Sequence, residues 1–211
     1  MNPQEVANKS VTPIWLQDYA SGYSIFTITD NSFFSDGIIW FQNLDESVEY
    51  AELLKVKGFS HVLMAVNKHF GIEAAEKGIQ FCDLQKEYFS NPHVHCVCRE
   101  PQDMDELTFL KAFNYALKLK DRGYDVGAFL GMVFVILTKL SDFIPPLRKL
   151  PAPLHLPGAR YCSAFVSDCY KHTQRYKNIE LFKKWHVTRI HVHKLWNRFP
   201  YKPFRFDKER V

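Results

Sequence analysis

The chain has 211 residues, of which 46 % are hydrophobic and 15 % aromatic, with a formal net charge of +4. The length suits a single domain and the composition excludes a disordered chain, while the mild charge, without a long uninterrupted basic run, gives no support to nucleic-acid binding. Five cysteines (Cys82, Cys96, Cys98, Cys162, Cys169) form an odd set without framework spacing, which points away from a disulfide scaffold and towards a reducing compartment, with the cytoplasm as the expectation.

Residues 1–20 read as an extension ahead of the domain, and the opening MNPQEVANKSVTPIW lacks the apolar core of a secretory signal, so export by that route is not expected. Residues 23–29 (YSIFTIT), bounded by Ser21-Gly22 and Asp30-Asn31, predict a first strand. The pattern over 33–54 is mixed, with a short helix expected over 45–54. Residues 60–66 (SHVLMAV) and 70–74 (FGIEA), separated by Asn67-Lys68-His69, predict an antiparallel hairpin. Residues 78–84 and 93–99 (HVHCVCR) are two further strands, making an antiparallel sheet of about five.

Asp103 followed by Glu106 resembles a capping box, and Leu107, Leu110, Phe113 and Leu117 continue at helical spacing until Gly123. A second helix is expected over 126–139; its apolar run, 126–137, is shorter than the roughly 20 residues that cross a bilayer and reads as a buried helix. Residues 145–157 hold too many prolines for regular structure. Helix resumes at Tyr161, where Cys162, Phe165, Val166 and Cys169 fall at i, i+3, i+4 and i+7 on a face expected to be buried. The aromatic and basic segment 175–211, with LWNRFPYKPFRF at its heart, is expected to pack back on the domain. Together these elements predict an α+β fold in one domain.

The residues with the most chemistry are Cys162 and His61. A thiol becomes a good nucleophile as its thiolate, which a helix N-terminus favours, and the backbone N–H there can face a developing oxyanion. His61, on the first strand of the predicted hairpin, is the candidate base, and Glu73 on the second strand is the candidate group to orient it. That triad carries a register condition: an odd loop centred near Asn67 or Lys68 puts His61 and Glu73 on one face, whereas a two-residue loop separates them. Tyr161, Ser60 and Ser163 flank the pair as candidates for substrate contact, and Cys169 reads as core.

The ordered set SHVLMAV, GIEA with a following Gly78 and Leu84, YDVGAFLGM and RYCSAFV resembles the circularly permuted papain-like family, the YiiX-like relatives of NlpC-type cysteine peptidases, over residues 22–170. In that family the histidine precedes the cysteine. The resemblance implies a papain-like α+β fold with Cys162 as nucleophile, His61 as base and Glu73 as the orienting acid, and a structural role for Tyr124-Asp125. The chain departs from the family at Cys162-Ser163-Ala164-Phe165-Val166, where Cys-Ser-Glu-Leu-Val is common, and at Gly22-Tyr23, where Gly-Asp is usual.

The expected function is therefore a cysteine hydrolase acting on a peptide, amide or related acyl bond without a cofactor. Lipid-directed acyl transfer or thioester hydrolysis on the same fold is the alternative, with peripheral membrane contact through 126–137 and the basic tail. A third reading is a non-enzymatic virion or envelope component. Metal binding is not expected: strand alternation sends His93 and His95 one way and Cys96 and Cys98 the other, and His186, His191 and His193 form a second histidine group at which zinc is not expected either.

Overall fold

The structure, a computed structural model, describes residues 20–30, 32–49, 56–138 and 144–203. Its centre is a five-stranded antiparallel sheet in the order β4-β3-β2-β1-β5. The strands are β1 (Ser24–Thr29), β2 (His61–Ala65), β3 (Phe70–Ala75), β4 (Gly78–Asp83) and β5 (Val94–Arg99). Helix α1 (Phe33–Asn43) follows β1, α2 (Glu106–Leu119) and α3 (Val126–Thr138) follow the sheet, and α4 (Cys162–Lys171), α5 (Glu180–Lys184) and α6 (Val192–Arg198) complete the order. The architecture is α+β, as the pattern of strands first and helices later predicts.

Both sheet faces are covered. Phe26, Val62, Met64, Ile72 and Val97 face the main core, which α4 shares through Phe165, Val166 and Cys169. Alternation sends Ile25, Leu63, Ala65, Cys82 and Cys96 to a smaller core on the opposite face. Cys169 is fully buried and all five cysteines are free thiols. The C-terminal segment closes the main core: Trp196 meets Phe26 edge-on at 4.9 Å and Phe59 at 4.7 Å, while the Arg99 guanidinium lies 4.5 Å over the Trp196 ring. Burying an aromatic of this kind contributes about 1.5–3 kcal/mol, enough to pin an irregular segment to the domain.

Several expectations are corrected. The helix in the mixed region is α1 at Phe33–Asn43, started by Ser32, whose side chain accepts from the Ser35 N–H; residues 45–49 are not helical, and 50–55 of the expected 45–54 helix lie outside the described residues. β4 ends at Asp83, and Leu84–Phe89 forms a single π-helical turn that brings Tyr88 back over the sheet. The cap of α2 is Asp105, accepting from the Thr108 N–H at 2.7 Å, while Asp103 stands outside at φ 58°. Leu107, Leu110 and Leu117 of α2 face outward, and Thr108, Ala112, Ala116 and Leu119 are the side chains turned inward.

Helix α3 is not buried all round. Its inner face carries Gly127, Ala128 and Gly131, over which the loop after the proline-rich turn (Pro145–Lys149) passes in backbone contact. A Cβ at Gly131 would fall 1.7 Å from the Pro153 carbonyl oxygen and one at Gly127 2.2 Å from that of Leu154. Glycine is required there by proximity. Among the described residues no helix is long and apolar enough to cross a membrane.

Candidate active site

The hairpin that carries His61 and Glu73 pairs Met64 with Ile72 and Ala65 with Gly71. That register centres the turn on Lys68, an odd loop, and meets the condition for the two side chains to share a face. Asn67 fixes the turn by accepting the backbone N–H groups of His69 and Phe70 at 2.7 and 2.8 Å. Continued along the strands, the register sets Glu73 opposite Leu63 and diagonal to His61, within reach of long side chains. His61 Nε2 lies 2.7 Å from Glu73 Oε2.

Glu73 is 2 % exposed, so its carboxylate needs partners. It has three. The Tyr88 hydroxyl donates to Oε2, Gln80, its register partner on β4, also hydrogen-bonds it, and His61 completes the set. Burial would raise the Glu73 pKa, but these hydrogen bonds and the His61 charge together hold it below the ordinary carboxyl range. The Tyr88 phenol is pushed up by burial and then by the Glu73 charge, and therefore remains a donor. Its ring lies parallel to that of His61 with centroids 6.4 Å apart.

Cys162 enters from α4. The preceding residues are held extended: Tyr124 and Arg160 form a parallel bridge, the Asp125 N–H donates to the Arg160 carbonyl at 3.2 Å, and the Arg160 guanidinium reaches forward to Asp168 at 2.8 Å. Tyr161 remains extended at φ −94° and ψ 169°, so the helix begins at Cys162, and no side chain caps this N-terminus. The thiol lies near enough to the His61 ring to act on its titration, and with Nε2 engaged by Glu73, Nδ1 is the nitrogen left to face it. Burial of the ring lowers the His61 pKa, but the hydrogen bonds and charges of Cys162 and Glu73 outweigh that and raise it to about 10.

The flanking candidates occupy different environments. Tyr161 is 1 % exposed, with its hydroxyl 3.5 Å from the Ile190 carbonyl. Ser163 is fully enclosed and its Oγ has no hydrogen-bond partner. Ser60 is half-buried and accepts from the Ser35 hydroxyl at 2.7 Å. Cys162 is itself 5 % exposed, whereas the His61 side chain is 22 % exposed, so solvent reaches the pair by way of the imidazole. A groove lined by Tyr23, Glu100, Met104, Phe109 and Leu110 shares no residue with this constellation.

Asp125 is fully buried and caps α3, accepting from the Ala128 N–H at 2.8 Å while its other oxygen binds His155. It is thus structural, tying the proline-rich loop to the helix. The C-terminal histidines are also engaged: His191 binds Asp45 at 2.8 Å, and His193 accepts from the Phe59 N–H at 3.1 Å. Among the described residues no group of three or more His, Cys, Asp or Glu side chains is arranged to hold a metal ion.

Sequence reasoning missed Tyr88 and Gln80. Gln80 was accessible in principle, as the cross-strand partner of Glu73 once the β3–β4 register is known. Tyr88 was not, because its placement depends on the π-helical turn. Compared with known proteins, the chain matches no family model and no curated relative.

Proposed function

We propose that the protein is a cysteine hydrolase of amide or related acyl bonds, built on a fold resembling the permuted papain-like arrangement. The observation that carries this reading is His61, bonded to Glu73 at 2.7 Å, with Cys162 at the start of α4 near enough to the same ring to favour its charged form. His61 takes the thiol proton, and the Cys162 sulfur adds to the substrate carbonyl carbon. The Cys162 backbone N–H, at the start of α4, donates to the oxyanion. Collapse breaks the bond to the leaving group, which receives the proton from the imidazolium. A water then loses a proton to His61, attacks the thioester, and releases the acid and the free thiol. Glu73 keeps the ring oriented and offsets its charge, and Tyr88 and Gln80 hold Glu73.

The test is turnover and acyl-enzyme trapping on a panel of peptide amides and acyl thioesters, followed by intact mass. Cys162→Ala and His61→Ala abolish both signals and Cys169→Ala retains both. Turnover that survives Cys162→Ala refutes the reading.

Lipid-directed acyl transfer on the same machinery is the second reading, favoured by the apolar face that α3 turns to solvent. Product analysis with a phospholipid donor distinguishes it, since transfer yields an acylated acceptor where hydrolysis yields the free fatty acid.

A further inference from the structure

Helix α3 carries large apolar side chains on its solvent side. Val126, Leu130, Phe134 and Leu137 are 55, 52, 55 and 58 % exposed, and their spacing sets them in one stripe along the helix. The segment that follows repeats the feature: Leu150, Leu154 and Leu156 are 53, 70 and 57 % exposed. The two surfaces adjoin, because the backbone of Pro153 and Leu154 lies directly on Gly131 and Gly127, the residues next in sequence to Leu130 and Val126. Apolar patches of this kind mark docking surfaces.

Charge narrows the partner. The described residues between Val126 and Arg160 include no Asp or Glu. Lys149 is exposed beside Leu150, Arg148 lies half-buried over the Trp185 ring at 5.1 Å, and Arg122, exposed just before α3, stands near Gly158. The carboxylate at the start of α3, Asp125, is fully enclosed. The described part of the surface is thus apolar and bordered by cations, and the exposed carboxylate next to Arg122, Asp121, is paired with Lys120 at 3.0 Å. At 13 residues α3 is about 20 Å long, too short to span a hydrocarbon core of about 30 Å.

We propose that α3 and the loop crossing it form a docking surface for an anionic lipid membrane, with α3 lying in the plane of the interface, its apolar stripe among the acyl chains and Lys149, Arg148 and Arg122 at the level of the phosphates. The surface does not depend on Cys162 being reactive. It lies near the candidate site, since Phe129 of α3 meets Tyr161, the residue before Cys162, with ring centroids 6.4 Å apart.

The experiment is co-sedimentation of the full chain with sucrose-loaded vesicles of phosphatidylcholine alone and with about a third phosphatidylglycerol. Wild type partitions at least about fivefold more strongly onto the anionic vesicles, and added salt weakens this binding. Leu130→Ser with Phe134→Ser reduces partition at least about tenfold at an unchanged melting temperature, and Lys149→Glu reduces it about fivefold. Wild type that ignores both vesicle types, or a double variant that binds as wild type does, overturns the proposal. A wild-type dimer that the double substitution converts to monomer assigns the stripe to a second copy of the chain and overturns it equally. If the double variant melts early, Leu137→Trp replaces it: quenching of the added tryptophan by brominated acyl chains supports insertion, and its absence contradicts it.

Discussion

His61 and Glu73 meet at 2.7 Å across the β2–β3 hairpin although they are not cross-strand partners. The register sets Leu63 opposite Glu73, so the carboxylate reaches its histidine along the diagonal and depends on Tyr88 and Gln80 to hold that pose. The arrangement makes Glu73 a positioning residue, and a three-residue turn its precondition.

Glu73→Gln preserves size and removes the charge that favours an oriented imidazolium. It is expected to lower kcat/KM by about 10²-fold or more, mostly in kcat, with a smaller loss of stability. Tyr88→Phe removes one donor to a buried carboxylate and is expected to cost about 1.5–3 kcal/mol of stability and only a modest part of the rate. Thermal melts and steady-state kinetics on the two variants check the order of effects.

The pH dependence follows from the same pair. The folded pKa of His61, raised to about 10, exceeds the ordinary value near 6.5, so the stability contributed by its bound proton is complete below pH 6.5 and fades as the pH climbs through 10. Glu73, held below the ordinary carboxyl value, contributes stability above about pH 4.5 that is lost as the pH falls through its folded pKa. Imidazole titration by NMR should place the His61 transition far above 6.5, and Cys162→Ala should move it down, because the sulfur that favours the charged ring is gone and burial is then less opposed. A His61 transition unchanged by Cys162→Ala contradicts the thiol–imidazole contact.

Gly131→Ala tests the α3 packing. The new Cβ would stand 1.7 Å from the Pro153 carbonyl oxygen, backbone that has no flexible end to move aside. Overpacking of this kind is expected to cost about 1–3 kcal/mol or more, seen as a lower melting temperature, and to loosen residues 150–157 in hydrogen exchange. Alanine at Gly37, which has open space around it, should be neutral or stabilising by about 1 kcal/mol, as helix propensity dictates.

The strands were legible because β-branched and aromatic runs between turn residues survive tertiary packing. Residues 23–29, 60–66, 70–74 and 93–99 reappear as strands within one residue at each end. The start of α4 was legible from the spacing of Cys162, Phe165, Val166 and Cys169. Helix α1 was hidden by Gly37 and by Ile38, Ile39, Trp40 and Phe41, residues of poor helix propensity, of which Ile39 and Phe41 are buried here while Trp40 is exposed. The buried reading of α3 failed because its inner face uses glycine and alanine for close approach, which leaves Val126, Leu130, Phe134 and Leu137 outside. His61, Glu73 and Cys162 were all nameable in the sequence, whereas the partners of Glu73 required the register of β4 and the turn after it.

The most direct test of the account is limited alkylation with iodoacetamide, mapped by peptide mass over all five free thiols. Exposure alone favours Cys98, which is half-buried while the other four are buried. The account predicts instead that Cys162 is carboxamidomethylated first, and that His61→Ala slows this by about 10²-fold without altering Cys98. Modification of Cys98 ahead of an inert Cys162, or a Cys162 rate indifferent to His61→Ala, would contradict it.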